Sequence, residues 1–543
     1  MLRVRLLGRV AYAEALDLQR ALQASADDYV VVLQHPAVYT AGVRADAANV
    51  LVPVDELGAE LVEVDRGGDV TFHGPGQVVC YPIVTIGEHP GAGRDHVHLL
   101  EDAVIEVVRA ELAGRDATVG RLEHHPGVWV TRPNEGPAKV AAVGVRSTRL
   151  GDGRRRTMHG IALNVDVDLA WFSRIIPCGI PEFPVTSLRE LGAPVEVDEI
   201  ADRLARAVAR RLAPDSGIDV AGVDQGVVAM GDEPVGVRRL RRAGVDIDRA
   251  VAISERKPAW LRIPATMGDD FLALKRLTKD LQLVTVCEEA GCPNIFECWS
   301  EGTATFMVNG DRCTRACGFC LVDTRRPLAI DETEPERVAA AVEQLGLTHA
   351  VITCVARDDL DDGGAGPIAS CVSAIRVRSP DCVVEVLTSD LKGDKESLAT
   401  LLAARPDVLN HNVETVPRLQ RAVRPSAGYA RSLTVLARAA EQGFVVKSGL
   451  MVGLGETFDE VVATLADLAA VGVRTATIGQ YLRPTASHLP VARYWAPEEF
   501  EALAVAGTAL GLAHVQASPL TRSSYHARDA HAASVPVALR TGR

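Results

Sequence analysis

The sequence predicts two globular domains: an α+β domain with a largely antiparallel sheet, followed by an α/β domain that forms a partial β/α barrel. A chain of 543 residues with 47% hydrophobic composition is longer than one hydrophobic core normally supports. Residues 1–213 mix strand and helix patterns without regular alternation, whereas the two patterns alternate after about residue 330. Residues 214–235 are rich in Gly, Pro and Asp without periodicity, which is typical of a linker. We therefore expect domains at 1–213 and 236–543.

The first domain is predicted from local periodicity. Apolar residues recur at helical spacing over 12–25, 96–112 and 198–213. Because no helix separates most of the strand patterns, we expect a mostly antiparallel sheet. The predicted strands are YVVVL, QVVCYPIV, GVWV, KVAAVGV and GIALNVDVD.

The second domain is predicted from the alternation of strands and helices. Strand patterns follow helical stretches such as RVAAAVEQLG and YARSLTVLARAAEQG, which implies a parallel sheet and, with about six units, a partial or full barrel. In a barrel the chemistry gathers at the carboxyl ends of the strands, where ARDD, HNVET and GLGET lie. The predicted strands are HAVITCV, CVVEVL, PDVLNHNV, FVVKSGLMV, TATIGQYL and AHVQAS.

Composition and charge exclude several classes of function. The net charge of -13 argues against a nucleic-acid-binding protein, which needs a basic surplus to neutralise phosphates. No apolar run is long enough to cross a bilayer, and no signal-peptide core appears at the N-terminus. The 11 cysteines are too few for a disulfide scaffold in so long a chain. We expect a cytoplasmic protein with neither nucleic-acid nor membrane partners.

Two residues of the first domain stand out because their types are rare there. Lys139 is the only lysine before Lys257, in a region whose other cations are arginines. An amine can be tuned to release its proton and a guanidinium cannot, so Lys139 is a candidate for proton transfer. Cys80 and Cys178 are the only cysteines before Cys287, and Cys80 lies in an apolar strand pattern typical of core packing.

The loop GDRCTRACGFCLV brings Cys313, Cys317 and Cys320 close together in the chain. Three thiolates leave one iron of a four-iron cluster without a protein ligand, and that iron can chelate S-adenosylmethionine (SAM) and pass it an electron. A structural zinc site would need a fourth ligand, for which Asp323 is the nearest candidate. The motif resembles that of the radical SAM superfamily.

A second set of cysteines, CEEAGCPNIFEC, supplies Cys287, Cys292 and Cys298. Together with RDDLDDGGA, NHNVETV, GLGET and RSSYHA, over about residues 236–530, the sequence resembles lipoyl synthase. The resemblance implies an auxiliary 4Fe-4S cluster on these three thiolates, completed by Ser523. For the adjacent Ser524 a turn cap is the plain alternative. The stretch VLTSDLKGD departs from the family, which usually has a Pro and a Phe around this Asp.

The same resemblance implies a cofactor set. SAM and the cluster on Cys313, Cys317 and Cys320 would generate a 5′-deoxyadenosyl radical, and the auxiliary cluster would give up sulfur to carbons 6 and 8 of a protein-bound octanoyl chain. A carbon radical suits this reaction because an unactivated C–H bond offers no acidic proton. The candidates for SAM contacts at the strand ends are Asn410, Asn412, Glu414 and Arg431.

The first domain carries a second resemblance. The glycine-rich stretch RGGDVTFHGPGQ favours close approach of a ligand to the backbone. With Lys139, HGIALNVD and IIPCGI, it resembles the octanoyltransferases of the lipoate-protein ligase B family, over about residues 1–213 and with a biotin/lipoate ligase-like fold. The resemblance implies that Cys178 accepts the acyl group and that Lys139 is its partner base, which favours the thiolate. The implied substrate-binding residues are Arg66, Gly67, Gly68, Asp69, Val70, Thr71, Phe72, His73, Ala142, Val143, Gly144, Gly160, Ile161 and Ala162.

The two resemblances together predict a fusion enzyme for consecutive steps: octanoyl transfer to a lysine of a lipoyl domain, then insertion of two sulfurs. The expected partners are octanoyl-acyl carrier protein, the lipoyl domains of 2-oxoacid dehydrogenases and of the glycine cleavage H protein, and a reductant such as ferredoxin or flavodoxin. Because carrier proteins and lipoyl domains are typically acidic, Arg154–Arg156 are candidates for steering them.

Three alternatives remain open. A radical methylthiotransferase acting on tRNA also carries two clusters, but it would bring a basic RNA-binding module. An iron–sulfur electron carrier would have fully cysteine-ligated clusters. An ATP-dependent lipoate or biotin ligase shares the predicted fold of the first domain but needs no thiol nucleophile, so Cys178→Ser would spare a ligase and abolish a transferase.

Overall fold

A computed structural model describes residues 1–194, 196–214, 217–228, 231, 233–262, 269–285, 294–295, 304–525 and 527. The chain divides into two compact units, Met1–Gln225 and Gly226–Arg543. Each unit has its own sheet architecture, as the sequence predicts. None of the helices in the described ranges combines the length and apolarity needed to cross a membrane.

The N-terminal unit combines a large sheet, a small sheet and long helices. Its strands are β1 (Leu2–Arg9), β2 (Asp28–Gln34), β3 (Val38–Ala41), β4 (Glu60–Glu63), β5 (Val70–His73), β6 (Gln77–Ile83), β7 (Thr118–Leu122), β8 (His125–Thr131), β9 (Pro137–Arg149), β10 (Arg155–Asn164) and β11 (Ile218–Gly222). Its α-helices are α1 (Tyr12–Gln23), α2 (Ala92–Glu111) and α3 (Val197–Leu212).

The large sheet has the strand order β11-β1-β2-β6-β10-β9-β8-β7. β1 runs parallel to β11 and β2, while the other neighbouring strands pair in antiparallel fashion. The small sheet has the order β4-β3-β5. The mostly antiparallel α+β prediction is therefore confirmed.

The core of this unit lies between the large sheet and two helices. In α3, Ile200, Leu204 and Val208 recur every four residues and are buried, so the helix turns one apolar face inward. In α2, Leu100 and Val104 are fully buried in the same core. This packing fixes the central strands from which the candidate site is built.

Six strands of this unit were not among the predicted strands: β1, β3, β4, β5, β7 and β11. Of these, β1 lies at the N-terminal edge of the predicted pattern, and β11 falls inside the segment predicted as a linker. β11 pairs with β1 in parallel register, and Arg3 and Arg5 donate to Asp219 at 2.8 Å. An edge strand that depends on a partner from the other end of the unit leaves little local signal.

The C-terminal unit is an α/β structure. Its strands are β12 (Val284–Thr285), β13 (Ala304–Val308), β14 (His349–Cys354), β15 (Val383–Leu387), β16 (Val408–Asn410), β17 (Val445–Val452), β18 (Thr475–Gln480) and β19 (His514–Ala517). Its α-helices are α4 (Val235–Arg242), α5 (Asp269–Asp280), α6 (Glu334–Gln344), α7 (Ala365–Arg378), α8 (Lys395–Ala403), α9 (Gln420–Val423), α10 (Tyr429–Glu441), α11 (Phe458–Ala470) and α12 (Pro497–Ala509).

The strands β13 to β19 are parallel and lie in sequence order, with β12 antiparallel to β13 at the edge. Because parallel crossovers are right-handed, sequential order places the connecting helices on one face, as in a β/α barrel. All six predicted strands are confirmed. β13 adds a seventh, and the loops that follow β13, β14, β15 and β16 meet at one edge.

Candidate active sites

A cleft in the N-terminal unit brings Cys178 and Lys139 together. Its empty volume is about 690 Å³, including the space at its open mouth, which lies in the range of small-molecule sites. The predicted substrate-binding residues that line it are Arg66, Gly67, Gly68, Asp69, Thr71, His73, Ala142, Val143, Gly144, Gly160, Ile161 and Ala162.

The side chains of Val70 and Phe72 do not line the cleft. Successive side chains of a strand point to opposite faces; in β5, Thr71 and His73 line the cleft. Val70 and Phe72 are buried instead in a small apolar core around Tyr39. The sequence prediction covered the whole motif without resolving this alternation.

Cys178 lies on a strained turn. It is the middle residue of the 3₁₀ turn Pro177–Gly179, with φ 59° and ψ 17°, a left-handed conformation that is uncommon for a residue with a side chain. Gly179 is also left-handed, and a Cβ there would lie 2.6 Å from Asp69 Oδ2. Strain of this kind costs about 1–3 kcal/mol and clusters at functional sites. The turn leaves the Cys178 thiol half-buried.

Lys139 is only 5% exposed. Its Nζ lies 4.8 Å from the centroid of the Trp129 ring, which belongs to the facing residue of β8. The Lys139 N–H donates to Pro184 O and its carbonyl accepts from the Thr186 N–H, both at 2.9 Å. These bonds attach the strand with the amine to the chain that follows the thiol. Within the described ranges no carboxylate pairs with the Lys139 amine.

His73 is a neutral part of the cleft wall. Its Nδ1 lies 2.7 Å from Gln77 Oε1, and burial lowers its pKa to about 3. At neutral pH the imidazole is therefore uncharged. This agrees with a role in shaping the cleft.

Sequence reasoning did not select several residues that line the cleft. His159, at φ 58°, donates from Nε2 to Asp65 Oδ1 at 2.8 Å, and its backbone N–H donates to Gln19 Oε1 at 2.7 Å. His159 opens the HGIALNVD motif, so a signal was present. Ile180 ends the IIPCGI motif, so it too had a signal. The remaining lining residues lie outside the quoted motifs: Tyr12, Arg44, Val79, Tyr81 and Pro126.

In the C-terminal unit, the loop after β13 carries Cys313, Cys317 and Cys320, all half-buried. Burial raises the pKa of Cys317 to about 12 and that of Cys320 to about 11, and the neighbouring thiols add to both shifts. The three sulfurs therefore lie within electrostatic reach of one another. Thiols with such raised pKa values ionise together only when a metal compensates their charge.

Hydrogen bonds fix the backbone of this loop. The Cys313 N–H donates to Asp323 O at 2.8 Å, and the Gly318 N–H donates to Val423 O at 2.9 Å. His488 donates from Nε2 to Cys320 O at 2.9 Å. The loop is thus attached along its whole length.

Arg315, between the first two cysteines, clamps the loop to two strand ends. Its Nε and Nη2 donate to Asp358 at 2.8 and 2.7 Å, and Nη2 donates to Asp390 at 2.6 Å. Asp358 follows β14 and Asp390 follows β15. A buried, bidentate guanidinium pair of this kind is geometrically specific. The clamp explains the arginine inside the cysteine motif.

Two of the predicted SAM contacts lie near the thiols. The charge of Glu414 acts on both Cys317 and Cys320, and burial raises the pKa of Glu414. Asn412 hydrogen-bonds to Glu414, while its Oδ1 is buried without a partner. The pair therefore offers polar atoms for a ligand beside the thiols.

The other two predicted SAM contacts are placed differently. Asn410 is fully buried and donates from Nδ2 to Glu385 Oε1 at 2.9 Å, so this amide supports the interior of the unit. Arg431 Nη1 lies 3.9 Å from Asp390 Oδ2, beside the Arg315 clamp.

The predicted auxiliary ligands lie only partly in the described part of the chain. Cys287, Cys292 and Cys298 lie outside the described residues. Ser523 is half-buried in a turn after β19. Asn294 is buried and donates from Nδ2 to Leu520 O at 2.8 Å. Asn294, from within the second cysteine motif, therefore contacts the segment that leads to Ser523.

Comparisons with known proteins cover both units. Residues 11–209 match the model of the lipoyl protein ligase A/B catalytic domain, and residues 307–468 match that of the radical SAM superfamily. The chain is 54% identical over 275 residues to lipoyl synthase of Rubrobacter xylanophilus, a match that covers 50% of this chain and 86% of that protein. The chain belongs to the lipoyl synthase family.

Two further similar proteins are a second lipoyl synthase and a solved structure. Lipoyl synthase of Symbiobacterium thermophilum is 53% identical over 296 residues, covering 54% of this chain and 92% of that protein. A putative lipoate protein ligase structure from T. acidophilum is 17% identical, covers 40% of this chain and 87% of that chain, and has a TM-score of 0.32.

The lipoyl synthase assignment confirms the resemblance of the C-terminal unit and decides two alternatives, while the match of residues 11–209 supports a lipoate ligase or transferase domain in the N-terminal unit. The C-terminal unit is neither a tRNA methylthiotransferase nor an iron–sulfur electron carrier, because its relatives over nearly their full length are lipoyl synthases. A lipoyl protein ligase A/B catalytic domain joined to lipoyl synthase supports an enzyme of lipoate biosynthesis. The family implies SAM and 4Fe-4S clusters, and a count of two clusters fits it.

The residues of the lipoyl synthase unit fit a cluster better than a single metal ion. No three His, Cys, Asp or Glu side chains in the described ranges are placed to hold one ion. A zinc ion would draw its sulfur ligands to about 2.3 Å from one centre, whereas a four-iron cluster binds each thiolate at a different iron. Asp323, the candidate fourth zinc ligand, hydrogen-bonds to Arg325 instead, which lowers its pKa to about 2.

Proposed function

We propose that this chain makes protein-bound lipoate in two consecutive steps. The N-terminal unit transfers an octanoyl group from octanoyl-acyl carrier protein to a lysine of a lipoyl domain, through a thioester on Cys178. The lipoyl synthase unit then inserts sulfur at carbons 6 and 8 of that chain. The observation that carries the first step is that Cys178 and Lys139 line one cleft.

A thioester route accounts for the Cys178 thiol as the nucleophile of the reaction. Thiolate attack on a thioester exchanges one thioester for another at nearly equal energy, and the later formation of an amide is downhill. An ATP-dependent ligase activates its acid as an adenylate and has no need of a nucleophile. A half-buried thiol on a strained turn therefore favours the transferase.

Lys139 handles the protons in both halves of the transfer. Its amine takes the proton of the Cys178 thiol, the thiolate forms a new C–S bond, and the carrier thiolate leaves with the proton that Lys139 holds. In the second half the lysine of the lipoyl domain attacks the Cys178 thioester, a C–N bond forms, the C–S bond breaks, and the Lys139 amine accepts the released proton.

In the lipoyl synthase unit, the role of the chain's own residues is to bind and orient the clusters and SAM. When bound, the cluster and SAM supply a carbon radical able to take hydrogen from an unactivated C–H bond. Three thiolates from Cys313, Cys317 and Cys320 would hold that cluster and leave one iron open to SAM. Asn412 and Glu414, near these thiols, would supply polar atoms for SAM. Ser523 would complete the auxiliary cluster with an oxygen, a harder ligand than thiolate, which suits a cluster that is dismantled in use.

The proposed partners follow from these reactions. They are octanoyl-acyl carrier protein, the lipoyl domains of 2-oxoacid dehydrogenases and the glycine cleavage H protein, and a one-electron reductant such as ferredoxin or flavodoxin. These partners and the reducing chemistry of the clusters agree with a cytoplasmic enzyme.

Trapping the acyl-enzyme tests the first step. The full chain is mixed with octanoyl-acyl carrier protein, quenched in acid, and the Cys178 peptide is weighed by mass spectrometry. We expect a hydroxylamine-sensitive octanoyl group on Cys178 and its transfer to an apo lipoyl domain without ATP. Cys178→Ser should abolish both, whereas Cys80→Ser should not, because Cys80 is fully buried and its pKa is raised by burial to about 12. Octanoylation from free octanoate that needs ATP and survives Cys178→Ser would establish a ligase instead.

A further inference from the structure

Arg66 is a buried cation without an anionic partner in the described part of the chain. It is 7% exposed, and its guanidinium donates only to neutral oxygens. The acceptors are Thr40 O at 2.6 Å, Thr40 Oγ1 at 2.8 and 3.2 Å, and Gly67 O at 3.1 Å. Burying a charge is costly unless an opposite charge compensates it. Asp69 acts on Arg66 only at a distance, so the guanidinium remains able to stabilise a further negative charge formed in the cleft.

Glycines leave room for this guanidinium. A Cβ at Gly42 would lie 2.8 Å from Arg66 Nη1, one at Gly68 would lie 3.4 Å from it, and one at Gly144 would lie 3.4 Å from Arg66 Cδ. Gly42 and Gly144 also approach backbone oxygens of Gly68 and Gly67. The glycine-rich motif was expected to admit a ligand to the backbone; its Gly68 instead lies against the side chain of Arg66, together with Gly42 and Gly144 from outside the motif. The fold thus holds one cation in a fixed position at the wall of the cleft.

Arg66 and Lys139 occupy the cleft in different ways. Arg66 and Cys178 both line it. Burial lowers the pKa of Arg66, while the charge of Cys178, and after it those of Tyr12, Tyr81 and Asp69, oppose that shift. The Lys139 amine instead lies over the Trp129 ring. An amine can take up and release a proton, whereas a guanidinium remains charged. The two cations are therefore suited to different tasks.

We propose that Arg66 is the permanent cation that stabilises the Cys178 thiolate and the oxyanion formed from the thioester carbonyl, while Lys139 moves the protons. The inference rests on the proposed thioester transfer. In each half of that transfer a negative charge passes between sulfur and the carbonyl oxygen and back to a leaving group. Lys139 gains and loses its proton during these steps, so its charge is intermittent. Arg66 keeps its proton throughout and provides electrostatic stabilisation at every stage.

Alkylation of Cys178 in the wild-type full chain provides the first test. The rates of reaction with anionic iodoacetate and neutral iodoacetamide are measured at pH 7 by mass spectrometry of the Cys178 peptide. We expect the iodoacetate-to-iodoacetamide rate ratio to exceed that of glutathione by about tenfold at low salt and to fall as salt is added. A ratio equal to that of glutathione would overturn the proposal, and this experiment does not depend on any variant folding.

Variants then assign the effect to one cation. Arg66→Met should lower the iodoacetamide rate at pH 7 by about tenfold or more and bring the rate ratio most of the way down to that of glutathione. Arg66→Lys should retain most of both effects because the charge remains. Lys139→Met should lower the ratio by less than Arg66→Met does, because it removes the intermittent charge and keeps the permanent one. The matched control is Arg149→Gln, which removes an exposed cation paired with Glu88 outside the cleft and should match the wild type. Thermal unfolding confirms that each variant is folded, and a folded Arg66→Met that alkylates like the wild type would refute the proposal.

These readouts separate the inference from the proposed function. Alkylation requires no acyl donor. If Cys178 reacts charge-selectively but the chain forms no octanoyl thioester, the proposed transferase is wrong and the proposed role of Arg66 is retained. If Arg66→Met forms the octanoyl thioester at the wild-type rate, the proposed role of Arg66 is wrong and the transferase is retained.

Discussion

The guanidinium of Arg315 donates to the fully buried carboxylate of Asp390 at 2.6 Å. The same guanidinium also holds Asp358, so one side chain joins the cysteine loop to the ends of two neighbouring strands. Burial opposes ionisation of Asp390, but Arg315 outweighs it and lowers the pKa of this carboxyl. The cysteine loop is therefore held in position by the ion pairs of Arg315 as well as by its backbone hydrogen bonds.

Removing the Arg315 clamp should loosen the cluster loop. In Arg315→Met, buried Asp390 would lose its hydrogen-bonded partner and keep only Arg431, 3.9 Å away; loss of a buried ion pair typically destabilises by about 3–5 kcal/mol. We expect a lower thermal midpoint for the lipoyl synthase unit and less iron retained after anaerobic reconstitution and gel filtration. Arg378→Gln, which removes an exposed arginine paired with two glutamates, should behave like the wild type. Full iron retention in Arg315→Met would show that the thiols alone position the cluster.

A second buried ion pair predicts a dependence of stability on pH. Lys447 Nζ donates to Glu385 at 2.9 and 3.2 Å, and both side chains are nearly inaccessible. Burial raises the pKa of Glu385, but Lys447 and His349 outweigh it and hold the pKa at about 2, below the ordinary 4.5. A lowered carboxyl pKa contributes stability above about pH 4.5 that is lost as the pH falls towards 2.

Lys447→Met should therefore destabilise the lipoyl synthase unit by about 3–5 kcal/mol at pH 7, and by less below about pH 4.5, where protonation of Glu385 becomes favourable in the unfolded chain. The double variant Glu385→Gln/Lys447→Met should recover most of the loss, because a glutamine still accepts from Asn410. Chemical unfolding at several pH values measures both effects. Equal losses in the single and double variants would show that the pair is not coupled.

Arg156 is expected to stabilise the N-terminal unit and not to steer partners. The hypothesis that Arg154–Arg156 steer acidic partners is wrong for Arg156. This side chain has no exposed surface and donates to Asp28 Oδ1 at 2.8 Å and to Asp27 O at 3.0 Å. Arg156→Ala should lower the free energy of unfolding by about 1.5–3 kcal/mol, whereas Arg154→Ala, which removes a partly exposed side chain, should change it little. If Arg156→Ala raised the Michaelis constant for the carrier at low salt without loss of stability, the steering idea would return.

Ser523 is the proposed oxygen ligand of the auxiliary cluster, and the adjacent Ser524 provides the matched control. Ser523→Ala should reduce the iron content of reconstituted protein from about eight towards about four per chain, because the second cluster would lose its fourth protein ligand. Ser524→Ala should leave the iron content unchanged. Iron analysis and Mössbauer spectra provide the measurement. The opposite order of effects would assign the oxygen ligand to Ser524.

Much of the fold was predictable because its signals are local. The alternation of strands and helices after residue 330 identifies the parallel sheet, and the rarity of Lys139 and Cys178 in their region draws attention to both before their shared cleft is seen. β11 was not predictable, since its pairing with β1 joins opposite ends of the unit. The same limit applies to the His159–Asp65 bond and to the glycines beside Arg66, two of which, Gly42 and Gly144, lie far from the motif in the chain.

The full reaction on one acceptor lysine tests the central claim most directly. Reconstituted full-length protein is incubated without oxygen with octanoyl-acyl carrier protein, apo lipoyl domain, SAM and a reductant, and the lysine is analysed by mass spectrometry. We predict lipoyl-lysine with the wild type, octanoyl-lysine alone with Cys317→Ala, and unmodified lysine with Cys178→Ser unless the lipoyl domain is supplied already octanoylated. Lipoyl-lysine formed by Cys178→Ser from the octanoyl carrier, or an acceptor left unmodified by the wild type, would contradict the account.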